Sequence, residues 1–290
     1  MKKGLVLSGG GARGAYQAGV YKYLLEKNFV PDVIAGTSVG AINASAIGAG
    51  LSADEIVSLW LSIDMRRIMK YSFFRNLISL FSNKFYSMMD TTPLKKFLKA
   101  HINFDKLKTS EKEIFIAAVN LITSELRYFS KKEIEIEHVM ASSAIPIVFP
   151  WQFIDGVPHW DGGLMANTPI SPVIDAGAKD IIVVLLSPVG KVELDLPKNR
   201  KEALERVLEF TLISSFQTVK SSVDYVEETK TKNPIIGFFE EITKTSELKI
   251  RTVSPKDFLG VRSVLNFSQM QSDKLIVMGY HDAKEQLGEF

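Results

Sequence analysis

The sequence predicts an α/β fold, a mainly parallel sheet covered by helices, on three observations. The apolar run "GLVLS" (4–8) breaks into glycines and restarts as a helical pattern at 15–28, where Ala18, Tyr21, Leu24 and Leu25 recur near helical period. "PDVIAG" repeats the arrangement, with the small-residue segment "VGAINASAIGAG" as its helix. Two strand–turn–helix units in succession argue for a parallel sheet under helices. Later strands are expected at 112–121, 125–130, 180–187 and 248–254, and helical patterns at 203–229 and 268–287. In the first of those patterns Leu204, Val207, Leu208, Leu212 and Val219 fall near one face.

Bulk properties remove several function classes. With 290 residues, 46% of them hydrophobic and 23% charged, the chain has the composition of a soluble globular protein with a sizeable core. A formal net charge of +2 gives no reason to expect a nucleic-acid partner. The absence of cysteine excludes disulfides, thiol catalysis and thiolate metal sites. The apolar run of "MKKGLVLSGGG" is too short for a signal-peptide core, and the uncharged stretch 33–53, with four glycines and Asn43, makes a poor membrane span. The expectation is a single domain over 1–290, cytoplasmic and without a transmembrane helix.

The glycine turn itself admits a nucleotide reading. Gly9, Gly11 and Gly14 satisfy G-x-G-x-x-G after a strand, and Asp32 follows at about the distance of a ribose-binding acid. Such an acid belongs at the carboxyl end of the second strand. Asp32 precedes the apolar "VIAG" and so belongs at the opposite end, which disfavours a nucleotide-binding oxidoreductase. What ends that strand is "GTSVG", a G-x-S-x-G pattern with Gly36, Ser38 and Gly40. In a sharp strand-to-helix turn this pattern projects a serine hydroxyl above the sheet, although a helix-capping serine between packing glycines has the same sequence.

A third segment, "HWDGGLMANTP" (159–169), places Asp161 ahead of Gly162 and Gly163, in a loop expected after the short extended "WQFID". Asp-Gly pairs also make ordinary turns. Together, the three segments offer backbone donors, a nucleophile and a carboxylate, the parts that acyl transfer needs. His159, two residues before Asp161, is an internal rival for the base, because an extended chain points both side chains the same way.

"GGGARG", "GTSVG" and "DGG", in this order and at these separations, resemble the patatin-like phospholipase family. "ASSAIPIVFP" (141–150), Asn167, Pro169 and the "LNFS...GY" region add to the likeness, which runs from Gly4 to about Ala283. The resemblance implies a three-layer α/β/α fold and a bacterial-type serine acyl hydrolase that cleaves lipid acyl esters without metal or cofactor. It implies a Ser38–Asp161 dyad, with Gly162 and Gly163 supporting the aspartate loop, Gly36 and Gly40 forming the nucleophile turn, and Gly9, Gly10, Gly11, Arg13 and Gly14 supplying the oxyanion hole. Arg13 has two expected roles, holding the loop's shape or drawing in an anionic head group. The alternative from another class is a catalytically silent lipid-binding regulator on the same fold.

Residues 65–89 hold five basic residues, no acidic one, six aromatics and four methionines. Phe73, Leu77, Leu80, Phe81 and Phe85 form a helical stripe, expected as a lid, a peripheral membrane contact or a core-packing helix. "PIIGFFEEI" (234–242) is a second apolar stretch that an acyl site or a core would use.

Overall fold

The computed structural model describes residues 1–71, 87–189, 196–200, 202–203, 206–207, 210–211, 214–217 and 248–288. The chain opens with β1 (Lys3–Leu7), α1 (Gly14–Glu26), β2 (Val33–Thr37) and α2 (Val39–Gly48), the two units read from the sequence. There follow α3 (Ala53–Ser62), α4 (Met65–Ile68), the two-residue strands β3 (Lys70–Tyr71) and β4 (Met89–Asp90), α5 (Thr92–His101) and α6 (Phe104–Lys108). Next come β5 (Glu113–Asn120), β6 (Leu126–Ser130), α7 (Ile136–Ser142), β7 (Gln152–Ile154) and β8 (Val157–Asp161). The short helices α8 (Gly163–Ala166) and α9 (Ser171–Asp175), β9 (Asp180–Val184), β10 (Lys249–Val253) and α10 (Gln269–Leu287) follow, and single 3-10 turns lie at Gly11–Arg13 and Val261–Val264.

The main sheet runs β10-β9-β1-β2-β5-β8-β7, with β6 also on β5. Strands β10, β9, β1, β2 and β5 are parallel to their neighbours, whereas β6, β7 and β8 add antiparallel pairings at one side. Alternation along β1 explains the layering. Leu5 and Leu7 pack with Ile34, Ile114, Ile182 and residues of α1, α2 and α10 on one face. Val6 joins Val33, Ala35, Ile181 and Val183 under Ile170 and Val173 on the other. Strands buried on both faces read as continuous apolar runs, as these do.

The expected helix face at 203–229 is only partly visible. Residues 214–217 are helical and Phe216 is buried against the second face, but Val207 is 59% exposed and so does not face the core. Leu204, Leu208, Leu212 and Val219 lie outside the described residues, as do most of the 65–89 stripe and all of 234–242. Among the described residues, no helix is long and apolar enough to cross a membrane.

The register along β5 brings Ser38 and Asp161 together. β6 pairs with β5 from Phe115 to Val119, so it occupies one edge of that strand. β2 and β8 must therefore share the other edge, end to end. β2 finishes with Thr37 opposite Ala117, and β8 finishes with Asp161 opposite Ala118. The residue after Thr37 is Ser38, so β5 brings the two together across more than a hundred positions of chain.

Candidate active site

Ser38 turns the chain from β2 into α2 with φ 57 and ψ −124, a left-handed conformation that costs a non-glycine residue of order 1–3 kcal/mol. Its neighbours make the turn possible. A Cβ on Gly36 would strike the Gly40 carbonyl, and one on Gly40 would strike the carbonyl of Leu7. The strain is held from outside: the Ser38 amide donates to Ser142 Oγ at 3.0 Å, Ser143 Oγ donates to the Ser38 carbonyl at 3.2 Å, and Thr37 Oγ1 donates to the Ala166 carbonyl at 2.8 Å. Ser38 occupies the N-cap position of α2, yet its hydroxyl makes no capping bond.

Asp161 is the last residue of β8 rather than part of a loop, as the sequence suggested. Its amide donates to the Ala144 carbonyl at 3.0 Å and its Oδ1 accepts from the Gly163 amide at 2.7 Å. Burial pushes the carboxyl up to about 7, with the Ser38 hydroxyl and the Gly163 amide acting as donors that pull it the other way. A carboxylate in this position holds a proton near neutral pH, and loses it readily to become a base.

The glycine loop follows β1. Of the five residues expected as oxyanion donors, only Gly10 and Gly11 have amides without an intramolecular partner among the described residues. The Gly9 amide donates to the Asn167 carbonyl at 3.1 Å, the Arg13 amide to the Gly10 carbonyl at 3.3 Å, and the Gly14 amide to the Gly11 carbonyl. Gly11 adopts φ +61 and lines the same cavity as Ser38.

Arg13 is fully buried, so it presents no surface to a head group. Its Nε donates to Ser263 Oγ at 2.7 Å, Nη1 to the Leu186 carbonyl at 3.0 Å and Ser187 Oγ at 3.1 Å, and Nη2 to the Gly260 carbonyl at 3.0 Å. It ties the glycine loop to the ends of β9 and β10's continuation, the shape-holding role of the two expected.

Asn167, noted in the sequence without a role, sits between the glycine loop and the Asp161 segment. Nδ2 donates to the Gly9 carbonyl at 3.3 Å, and a Cβ on Gly9 would strike its Oδ1 and come within 3.0 Å of Ser38 Cβ. A Cβ on Gly163 would approach Asn167 Oδ1 and Asp161 Oδ1 at 2.9 and 3.0 Å. His159 shares the face of Asp161, but its Nδ1 bonds the Val157 carbonyl at 2.9 Å and its ring meets Phe129 edge-on at 6.0 Å. No hydrogen bond joins it to Ser38. Asp32 lies at the far end of the sheet, its Oδ2 accepting from the Lys3 amide at 2.7 Å, so it has no place beside the glycine turn.

Beside Ser38 is an apolar cavity of about 40 Å³ walled by Val39, Ile42, Trp60, Leu94, Leu265 and Phe267, among others. That is far below the ~300 Å³ at which ligand pockets begin, so a ligand of ordinary size fits only if these side chains part.

A model of the patatin-like phospholipase family matches residues 5–174. The lysophospholipase NTE1 of Cryptococcus neoformans var. neoformans serotype D is 30% identical over 251 residues, 78% of this chain and 14% of that protein. The cGAMP-activated phospholipase of Pseudomonas aeruginosa is 29% identical over 182 residues, 57% of this chain and 53% of the relative. This chain thus spans only part of either one. VipD from Legionella pneumophila superposes with a TM-score of 0.51 at 16% identity, over 99% of this chain and 66% of VipD, a likeness of fold. The span matched by the family model begins in β1 and ends in α9, enclosing the glycine loop, Ser38 and Asp161: this chain belongs to the patatin-like phospholipase family.

Proposed function

We propose that the chain is a serine hydrolase of lipid acyl esters, phospholipids and lysophospholipids among them. The observation that carries the reading is a strained, externally held Ser38 beside a buried carboxyl titrating at about 7. Ionised Asp161 accepts the Ser38 proton as Oγ attacks the acyl carbonyl. The Gly10 and Gly11 amides donate to the developing oxyanion, each such donor contributing roughly 3 to 4 kcal/mol. Collapse returns the proton from Asp161 to the departing alcohol and leaves an acyl ester on Ser38. Water, losing its proton to Asp161, then releases the fatty acid.

The lipid class is supported by the family, by the phospholipase names of the two relatives, and by the mostly apolar wall around Ser38. Residues 1–290 are read as one catalytic unit, since strands from Lys3–Leu7 to Lys249–Val253 share its sheet. Peripheral contact with a bilayer is part of the same proposal. Leu164 and Met165, just beyond Asp161, are 46% and 51% exposed, and exposed Met88 and Ile147 are linked by a 3.0 Å backbone bond.

The test is intact-protein mass spectrometry after incubation with a fluorophosphonate acyl-ester mimic in detergent micelles. One adduct, lost in Ser38→Ala, is expected. A folded wild type that takes none would favour the silent lipid-binding regulator.

A further inference from the structure

At the opposite end of the sheet, a second cavity of about 350 Å³ is lined by Lys3, Lys27, Phe29, Asp180, Lys249 and Arg251. Its size lies within the ~300–1,000 Å³ range of small-molecule sites, unlike the space beside Ser38. The parallel register builds it. Lys3 and Lys249 both pair with Asp180, so the first residues of β1, β9 and β10 stand in a row. Arg251, two positions beyond Lys249, shares its face of the sheet.

Among the described lining residues, four cations face one carboxylate, and that carboxylate is already engaged by Arg251 at 2.6 Å. Two of the cations are fixed in place. The Lys3 ammonium donates to the Asn28 carbonyl at 3.0 Å and lies 5.1 Å from the centre of the Phe29 ring, and the Arg251 guanidinium lies 5.7 Å from the same buried ring. Lys27, whose ammonium lies 5.9 Å from the centre of the Tyr23 ring, and Lys249 have no ion-pair partner among the described residues. Like charges held around one cavity repel each other, and a bound polyanion relieves that repulsion.

We propose that this cavity binds a small soluble compound carrying two or more adjacent phosphates. Preorganised Lys3 and Arg251 fix one part of the anion over Phe29, and Lys27 and Lys249 close on the rest. A lone phosphate would leave most of the volume empty, and a single charge would leave cations unmatched. The choice of a soluble ligand over a lipid head group rests on the proposed function. β1 runs from Lys3 in this cavity to Leu7 just before the glycine loop, so a catalytic end facing lipid turns this cavity toward water.

Isothermal titration of the full chain with sodium pyrophosphate at physiological ionic strength tests the site. Saturable one-to-one binding is expected, weakened at least about tenfold in Lys27→Ala/Lys249→Ala. Retained melting temperature would show that this double variant is folded. Lys96→Ala/Lys99→Ala on α5, and Ser38→Ala, should bind like wild type, the latter separating this site from the catalytic reading. Absence of saturable heat would overturn the proposal, as would equal weakening in both lysine pairs. Binding only to phosphatidylcholine vesicles containing phosphatidylinositol bisphosphate, with none to pyrophosphate, would overturn the soluble ligand.

Discussion

The two ends of the parallel sheet are built from the same strands and treat polar groups in opposite ways. At the amino ends, Asp32 caps the Lys3 amide, Arg251 meets Asp180, and side chains reach solvent. At the carboxyl ends, a serine is held in a left-handed conformation, a carboxyl is fully enclosed with its proton affinity raised, and two loop amides have no partner among the described residues. Strand direction is the source of the difference. Loops and helix amino termini leave a parallel sheet at its carboxyl ends, where their unpaired N–H groups face an incoming ligand. A strained serine and a carboxyl of raised proton affinity meet at the carboxyl end.

The largest effect expected on this comparison comes from Ser38→Ala, which removes the proposed nucleophile. Ester turnover should fall by about 10⁴-fold or more while the melting temperature changes little. A variant retaining a tenth of wild-type turnover would put the reactive centre elsewhere.

Asp161→Asn should follow, losing about 10³-fold in turnover because the amide cannot take the proton. Its stability moves the other way. A carboxyl raised from 3.8 to about 7 binds more protons in the native state between those values, so wild-type stability falls as pH rises through that window. Above pH 7 the full cost of burying the charge is present, on the order of a few kcal/mol. Asparagine avoids it, so the variant should melt higher than wild type at pH 8 and near it at pH 4. A lower melting point at pH 8 would show that the charge is compensated.

A smaller loss is expected from Asn167→Ala, about 10- to 100-fold in kcat with KM little changed, since its amide donates to the Gly9 carbonyl and so positions the glycine loop. Its recovery by Asn167→Asp would show that only bulk is required. Smallest is Asp32→Ala at the amino end: about 1 kcal/mol of stability from the lost Lys3 cap, and kcat/KM within about twofold of wild type. An equal loss of turnover there would erase the distinction between the two ends.

How much of this was legible in the sequence differs by segment. The units containing β1, α1, β2 and α2 are local, and their apolar runs, glycine turns and small-residue helix announce them within a few residues of where they occur. Ser38 and the placement of Asp32 follow from the same local logic. Asp161 was identified, but its setting was not. β8, "VPHWD", is short, contains Pro158 and a histidine, and acquires its strand character from pairing with Asn120 and Gln152. The register that sets Asp161 one step beyond Thr37 along β5 is a long-range property without a local sequence signal. The same holds for Ser142 and Ser143, whose hydroxyls hold the Ser38 turn, and for the amide bookkeeping that separates Gly10 and Gly11 from Gly9, Arg13 and Gly14. Two serines in "ASSAIP" and an asparagine four residues after "DGG" were the available hints, and spacing gives them no partners.

The proposed role of Asp161 as the base for Ser38 is tested most directly by the pH dependence of fluorophosphonate inactivation. Wild type should inactivate faster as pH rises, with a midpoint at about 7, as the buried carboxyl ionises. Asp161→Asn should be slow and flat across the range, and His159→Ala should keep the wild-type profile. A midpoint near 4, or a profile abolished by His159→Ala and kept by Asp161→Asn, would contradict it.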